Sequence, residues 1–268
     1  MPDLNRDDVT IHFEVEGSGP PLLLLAGMLS DSATWAGFAP LLTDSYTVIR
    51  PDNRTTGRTV PWDAPTNMNL MAHDALAVMA KLGFERFHVA GHSMGGLLAM
   101  ELAVLAPEQV ATASVFASGR VRMPRTIAAF DALLAVRRGA LGEELWLRAL
   151  YPWVFGQAFF ESADNVEIAL EAALAYPYAQ TADAMAHQIE AFRSLRPSAK
   201  PENIACPTLV AYAGADILVP PALAKSGFAT IPNLQEVTID TAGHSIVWDA
   251  PDLLSDHLRR FLAAHPID

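Results

Sequence analysis

Short apolar runs alternate with longer stretches of helical periodicity along this chain. Residues 9–16 set Val, Ile, Phe and Val against Thr, His, Glu and Glu. That period of two predicts a half-exposed strand at a sheet edge. Gly17-Ser18-Gly19-Pro20-Pro21 ends it. Residues 22–26 are continuously apolar and few, the pattern of a strand covered on both faces. Residues 46–50, 87–90, 110–117, 208–213 and 235–239 read as further short strands. Apolar residues at helical spacing predict helices over 69–82, 93–105 and 249–264. Strand and helix alternating in this way predict an α/β chain, a mostly parallel twisted sheet flanked by helices.

Residues 119–200 break the rhythm. They are Ala-rich, carry many of the aromatics, and hold no convincing strand; Pro124, Pro152, Pro177 and Pro197 interrupt them. The segment reads as a helical cap inserted between two parts of one core, 1–118 and 201–268.

The sharpest chemical signal lies where a predicted strand meets a predicted helix. Gly91-His92-Ser93-Met94-Gly95 is Gly-x-Ser-x-Gly, a spacing that lets a serine sit on a tight strand-to-helix turn with its hydroxyl raised above the sheet. The helix N-terminus behind it favours developing negative charge. A serine hydroxyl needs a base to become a nucleophile. His244, in Thr241-Ala242-Gly243-His244-Ser245, follows the last predicted strand and falls at the serine's edge of the sheet. The other histidines fit less well. His12, on an edge strand, His88, in a strand, and His73, His187, His257 and His265, in or after helices, face other duties, and His92 points away from the serine. An acid must orient the imidazole. Asp216, in Gly214-Ala215-Asp216-Ile217-Leu218-Val219-Pro220, sits in a loop after a buried strand; a helix cap is its plainer alternative. The position after strand 110–117 offers only Ser118 and Gly119.

Composition narrows the field. The 268 residues carry a formal charge of −12, which disfavours nucleic acid as a partner. The single cysteine, Cys206, excludes an intramolecular disulfide or a Cys-rich zinc site and reads as structural. Residues 1–8 have no basic targeting region, and the longest strongly apolar run, 22–26, is too short to cross a bilayer. The expectation is a cytoplasmic protein without a membrane partner.

These motifs resemble those of the α/β-hydrolase superfamily, in particular its cap-bearing branch of esterases, lactonases and C–C hydrolases, similar to 3-oxoadipate enol-lactonase-like enzymes. The likeness covers nearly the whole chain. It includes Leu22-Leu23-Leu24-Leu25-Ala26-Gly27-Met28, where relatives usually read His-Gly and this chain reads Ala26-Gly27. It also includes Pro51-Asp52-Asn53-Arg54-Thr55-Thr56-Gly57-Arg58, where Thr55 replaces a usual Gly and Thr59 stands near a usual Ser. Arg54 is read there as structural. The resemblance implies the α/β-hydrolase fold with Ser93, Asp216 and His244 as a catalytic triad. It also implies an oxyanion hole from the backbone N–H groups of Met28 and Met94, with no metal and no organic cofactor.

The cap is expected to roof the pocket and choose the substrate. Trp153, Phe159, Phe160 and Trp248 are its candidate lining. Arg120, Arg122 and Arg125 could face the mouth and pair with an anion, solvated arginines being the favoured alternative. Residues 120–200 hold nine basic and nine acidic residues, so the whole net charge belongs to the core. The expected activity is hydrolysis of a small carboxylic ester or lactone through an acyl-enzyme on Ser93. A C–C hydrolase of a vinylogous keto acid, a perhydrolase or a non-catalytic receptor on the same fold are the alternatives. A homodimer is compatible with this reading.

Overall fold

The computed structural model describes residues 3–120, 124–193 and 198–267. Its centre is an eight-stranded sheet in the order β1-β2-β4-β3-β5-β6-β7-β8. The strands are β1 (Asp3–Asn5), β2 (Thr10–Gly17), β3 (Pro21–Leu25), β4 (Thr47–Pro51), β5 (Phe87–His92), β6 (Val110–Phe116), β7 (Thr208–Ala213) and β8 (Leu234–Ile239). β2 pairs antiparallel with both of its neighbours, β1 and β4; every other neighbouring pair is parallel.

The two faces of β3 show how the pattern becomes a sandwich. Leu23 and Leu25 join a core with α1 (Met68–Lys81) and α2 (Met94–Leu105). Leu22 and Leu24 point the other way, to Trp35, Phe38 and the final helix. A run of leucines suits a strand buried on both sides, because neither face meets water. The helices α3 (Pro124–Arg138), α4 (Gly142–Val154), α5 (Ala163–Ala175) and α6 (Ala182–Arg193) all fall between β6 and β7. Their buried residues, among them Phe130, Leu133, Trp146, Tyr151 and Met185, are continuous with the α1–α2 core. Pro152 does not interrupt α4 but lies in its last turn, and Pro124 opens α3.

Two local expectations change. β2 is not the edge strand: β1 pairs beyond it, Leu4 opposite Ile11. Asp-Leu-Asn is too short and too polar to show a period. His12 is consequently buried, its Nδ1 2.8 Å from Asp3 Oδ1. The last helix is also divided. After the short α7 (Pro221–Ala224) and β8 come α8 (Ile246–Asp249) and α9 (Pro251–Ala263), with Ala250 at φ −145° between them. A residue before proline is pushed out of the helical region, so Pro251 restarts the helix.

Arg54 ties the chain's start to α1. It is buried and forks between Asp8 (2.6 and 3.0 Å) and Asp74 (2.6 and 3.2 Å), with a further bond to the Pro65 carbonyl at 2.7 Å. This agrees with a structural role. Cys206 lies two residues before β7, and burial pushes its thiol up. Among the described residues no helix is long and apolar enough to cross a membrane, and no group of three His, Cys, Asp or Glu could hold a metal ion.

Replacing Arg54 by Met should leave Asp74 buried without its fork. The expected loss is about 3 kcal/mol or more, read as a lower urea midpoint with an unchanged slope.

Candidate active site

At the carboxyl edge of the sheet, β5 turns into α2 at Ser93. Ser93 has φ 54° and ψ −118°, a backbone conformation that side chains rarely take. The flanking glycines explain how it is held. A Cβ on Gly91 would collide with the carbonyl of Gly95, and one on Gly95 with the carbonyl of Leu25 at the end of β3. The Ser93 N–H donates to Phe116 of β6 at 2.9 Å, and the Ser118 hydroxyl donates to the Ser93 carbonyl at 2.7 Å. The strain at Ser93 is over-determined by these contacts.

Three distant loops meet here. His244 Nε2 lies 2.9 Å from Ser93 Oγ, and His244 Nδ1 lies 2.8 Å from Asp216 Oδ2. The other Asp216 oxygen accepts the N–H groups of Leu218 and Val219, each at 2.8 Å. Burial pushes the Asp216 carboxyl up, but the opposing pull of His244 and of those two N–H groups leaves it below the usual carboxylate range. An ionised Asp216 accepts from Nδ1–H, so Nε2 faces the serine with its lone pair. Asp216 therefore holds its own loop as well as the imidazole ring, and it is not a helix cap, since α7 begins at Pro221 with Pro220 before it.

His244 is fixed through its backbone as well as its ring. His92 Nε2 lies 2.7 Å from the His244 carbonyl, so that nitrogen carries the proton and donates. The His92 ring bonds the residue that faces the serine hydroxyl. Burial, then the nearby charge of His244, push His92 down to about 3, so it stays neutral. Gly243 N–H donates to Asp249 Oδ2 at 2.7 Å, and the same oxygen accepts Gly156 N–H, from the turn after α4, at 2.8 Å. Ser245 N–H donates to the Val154 carbonyl of α4 at 2.6 Å. The sequence reading missed His92 and Asp249 as supports. Their signal was position alone, beside Ser93 and five residues after His244.

The turn after β3 carries Met28, and Met94 is the first residue of α2; both are buried in the same core. The first N–H groups of a helix have no partner within it. Without the usual His at Ala26, the turn is anchored at its backbone. Asn53 Nδ2 donates to the Ala26 carbonyl at 3.1 Å, and Gln188 Oε1 of α6 accepts the Leu29 N–H at 2.9 Å. Leu29 and Thr55 both have positive φ, 63° and 77°. Thr55 thus sits in a left-handed conformation that glycine adopts more readily.

The remaining candidates have contacts of their own. Trp153 is partly buried beneath the exposed Arg125, whose guanidinium lies 5.3 Å from the ring centroid. Phe159 stacks on Phe155 at 4.0 Å and meets Tyr151 edge-on. Phe160 is 37% exposed and Trp248 56%, with the Trp248 indole 3.4 Å from the Thr34 hydroxyl. The Arg120 backbone lies where a side chain on Gly227 would go. Arg122 lies outside the described residues.

Comparison with known proteins gives a consistent neighbourhood. The model described as "Alpha/beta hydrolase family" matches residues 22–257. A protein of Azorhizobium caulinodans named "Putative carbamate hydrolase RutD" is 31% identical over 270 residues, which span 97% of this chain and 98% of that protein. The enol-lactonase of Burkholderia xenovorans LB400 shares the fold, with a TM-score of 0.84 at 21% identity over 98% of this chain and 100% of its own. A thermophilic esterase from Thermogutta terrifontis, solved with malate bound, gives a TM-score of 0.80 at 25% identity over 96% and 95%.

The buried histidines set an acid limit. His92 titrates near 6.5 when unfolded and about 3 when folded; His88, depressed by burial and by His265 and Arg86, falls to about 4. Protons therefore bind the unfolded chain preferentially below 6.5. The stability these rings contribute is full above that pH and is lost as pH falls toward the folded values. Neither ring should titrate between pH 5.5 and 8 by NMR. His92→Phe should reduce the loss of urea stability between pH 7 and 5 by about 2 kcal/mol.

Proposed function

We propose, from the premise that this chain belongs to the alpha/beta hydrolase family, that it is a serine hydrolase cleaving a small carboxylic ester or lactone through an acyl-enzyme on Ser93. The observation that carries this reading is the unbroken hydrogen-bonded chain from Ser93 Oγ through His244 to the buried carboxylate of Asp216.

The chemistry follows from that geometry. His244 Nε2 takes the hydroxyl proton as Ser93 Oγ attacks the substrate carbonyl. Asp216 stabilises the imidazolium without taking its proton. The oxyanion lies between the N–H groups of Met28 and Met94, at the positive end of α2. His244 then protonates the leaving oxygen, the C–O bond breaks, and the acyl group remains on Ser93. Water, deprotonated by His244, attacks the acyl carbonyl and restores the serine. A lactone opens in the first half of the cycle, its newly protonated hydroxyl staying tethered to the acyl group.

A second reading rests on the RutD relatives, which carry carbamate hydrolase in their name and align over nearly the whole chain. The same machinery would attack a carbamate carbonyl, a less electrophilic centre that asks more of the oxyanion donors. Short esters, lactones and carbamates compared by kcat/KM separate the two readings; a carbamate preferred over every ester would favour the second.

The protein should hydrolyse short p-nitrophenyl esters, and a fluorophosphonate probe should label Ser93. Ser93→Ala should remove both. Asp216→Asn should lower kcat about 10⁴-fold with little change in KM, since the wrong tautomer is then held toward the serine. Labelling of another serine, or equal turnover by Ser93→Ala, would overturn the assignment.

A further inference from the structure

We propose that Gln188 and Gln180 form a substrate subsite beside the oxyanion turn that reads a terminal carboxamide on the acyl part of the substrate. This rests on the reading of Ser93 as nucleophile, and it adds the class of substituent the site selects.

Two side-chain amides meet above the turn that carries Met28. Gln188, on α6, is 2% exposed. Its Oε1 accepts the Leu29 N–H at 2.9 Å. Because Leu29 N–H can only donate, the oxygen of Gln188 must face it and the amide orientation is fixed. Gln180 precedes the same helix. Its Nε2 donates to the Thr55 carbonyl at 2.9 Å, and makes longer contacts of 3.3 Å to Gln188 Oε1 and 3.4 Å to Thr55 Oγ1. The Thr55 carbonyl can only accept, so the orientation of Gln180 is fixed as well.

What remains is one unused group on each amide. Gln188 Nε2 and Gln180 Oε1 are buried, have no hydrogen-bond partner, and do not satisfy each other. Buried polar groups without partners are rare in folded proteins. Here a donor and an acceptor stand on adjoining side chains, one held by the residue after Met28. An acyl carbonyl seated on the Met28 N–H would place its substituent near them. A carboxamide offers an acceptor oxygen to Gln188 and a donor nitrogen to Gln180 on two atoms of one planar group. A carboxylate has no donor for Gln180, and a methyl ketone leaves Gln180 unpaired. Sites built around such groups reject analogues that leave them unpaired more strongly than apolar pockets reject an extra methylene.

The test separates binding from turnover. The Ser93→Ala protein is titrated calorimetrically with methyl esters of ω-carbamoyl acids of three chain lengths, each against its methyl-ketone isostere. At one length or more the amide should bind at least tenfold tighter, and adding Gln188→Met should bring that ratio close to one. Gln180→Met should do the same if the Gln188 variant fails to fold. No discrimination at any length, or a ratio that survives both substitutions, overturns the subsite. Turnover of p-nitrophenyl acetate and fluorophosphonate labelling of the unaltered protein report separately on Ser93. Their absence beside intact amide discrimination would refute the nucleophile and leave the subsite standing.

Discussion

The close approach of three backbone segments at Gly91, Gly95 and Leu25 is the constraint from which the rest of the site follows. Only hydrogen fits between these segments. Because they pack so tightly, Ser93 is forced to positive φ, and its hydroxyl projects from the sheet edge while its carbonyl is tied down by Ser118. The same contact draws the end of β3 against the start of α2. Asn53 and Gln188 hold the turn after β3 through the Ala26 carbonyl and the Leu29 N–H.

The imidazole side of the site follows a different logic. Its ring is held by Asp216, but the main chain of its loop is held by His92 from β5 and Val154 from α4, both remote in sequence, and by the nearby Asp249 from α8. A loop with a neighbour on each residue from Gly243 to Ser245 has little freedom to drift. A displacement of about an ångström is enough to cost two orders of magnitude in rate. His92 serves this purpose because it is neutral: burial removes its second proton and fixes a single donor on Nε2.

Much of this was legible in the chain. Parallel strands buried on both faces leave continuous apolar runs, so β3 and β7 stood out and their ends fell within a residue of expectation. Gly-x-Ser-x-Gly, Asp216 and His244 stood out because each follows a strand, and sheet topology then brings strand ends to one edge. What escaped has physical reasons. β1 is three residues without a period, and its pairing is decided by what lies beside it. The division of α8 from α9 turns on one residue before a proline. His92, Asp249, Asn53 and Gln188 act through backbone groups of residues far away in sequence, and no spacing encodes such a partner. Aromatics of the inserted segment also pack with one another, Phe155 on Phe159 and Tyr151 against both, contacts that composition does not encode.

Asp249 Oδ2 holds Gly156 and Gly243 with one atom, at 2.8 and 2.7 Å. Catalytic core and roof are often treated as separable modules, with one exchanged to alter selectivity while the other is left alone. Here the seam between them runs through the bedrock of the imidazole loop. A chimera that takes its roof from a relative would also inherit a new foundation for His244 unless the junction from Val154 to Gly156 travels with Asp249. The far ends of the inserted helices make no such bond to the imidazole loop among the described residues, whereas Gly156 and Gly243 are tied through one oxygen.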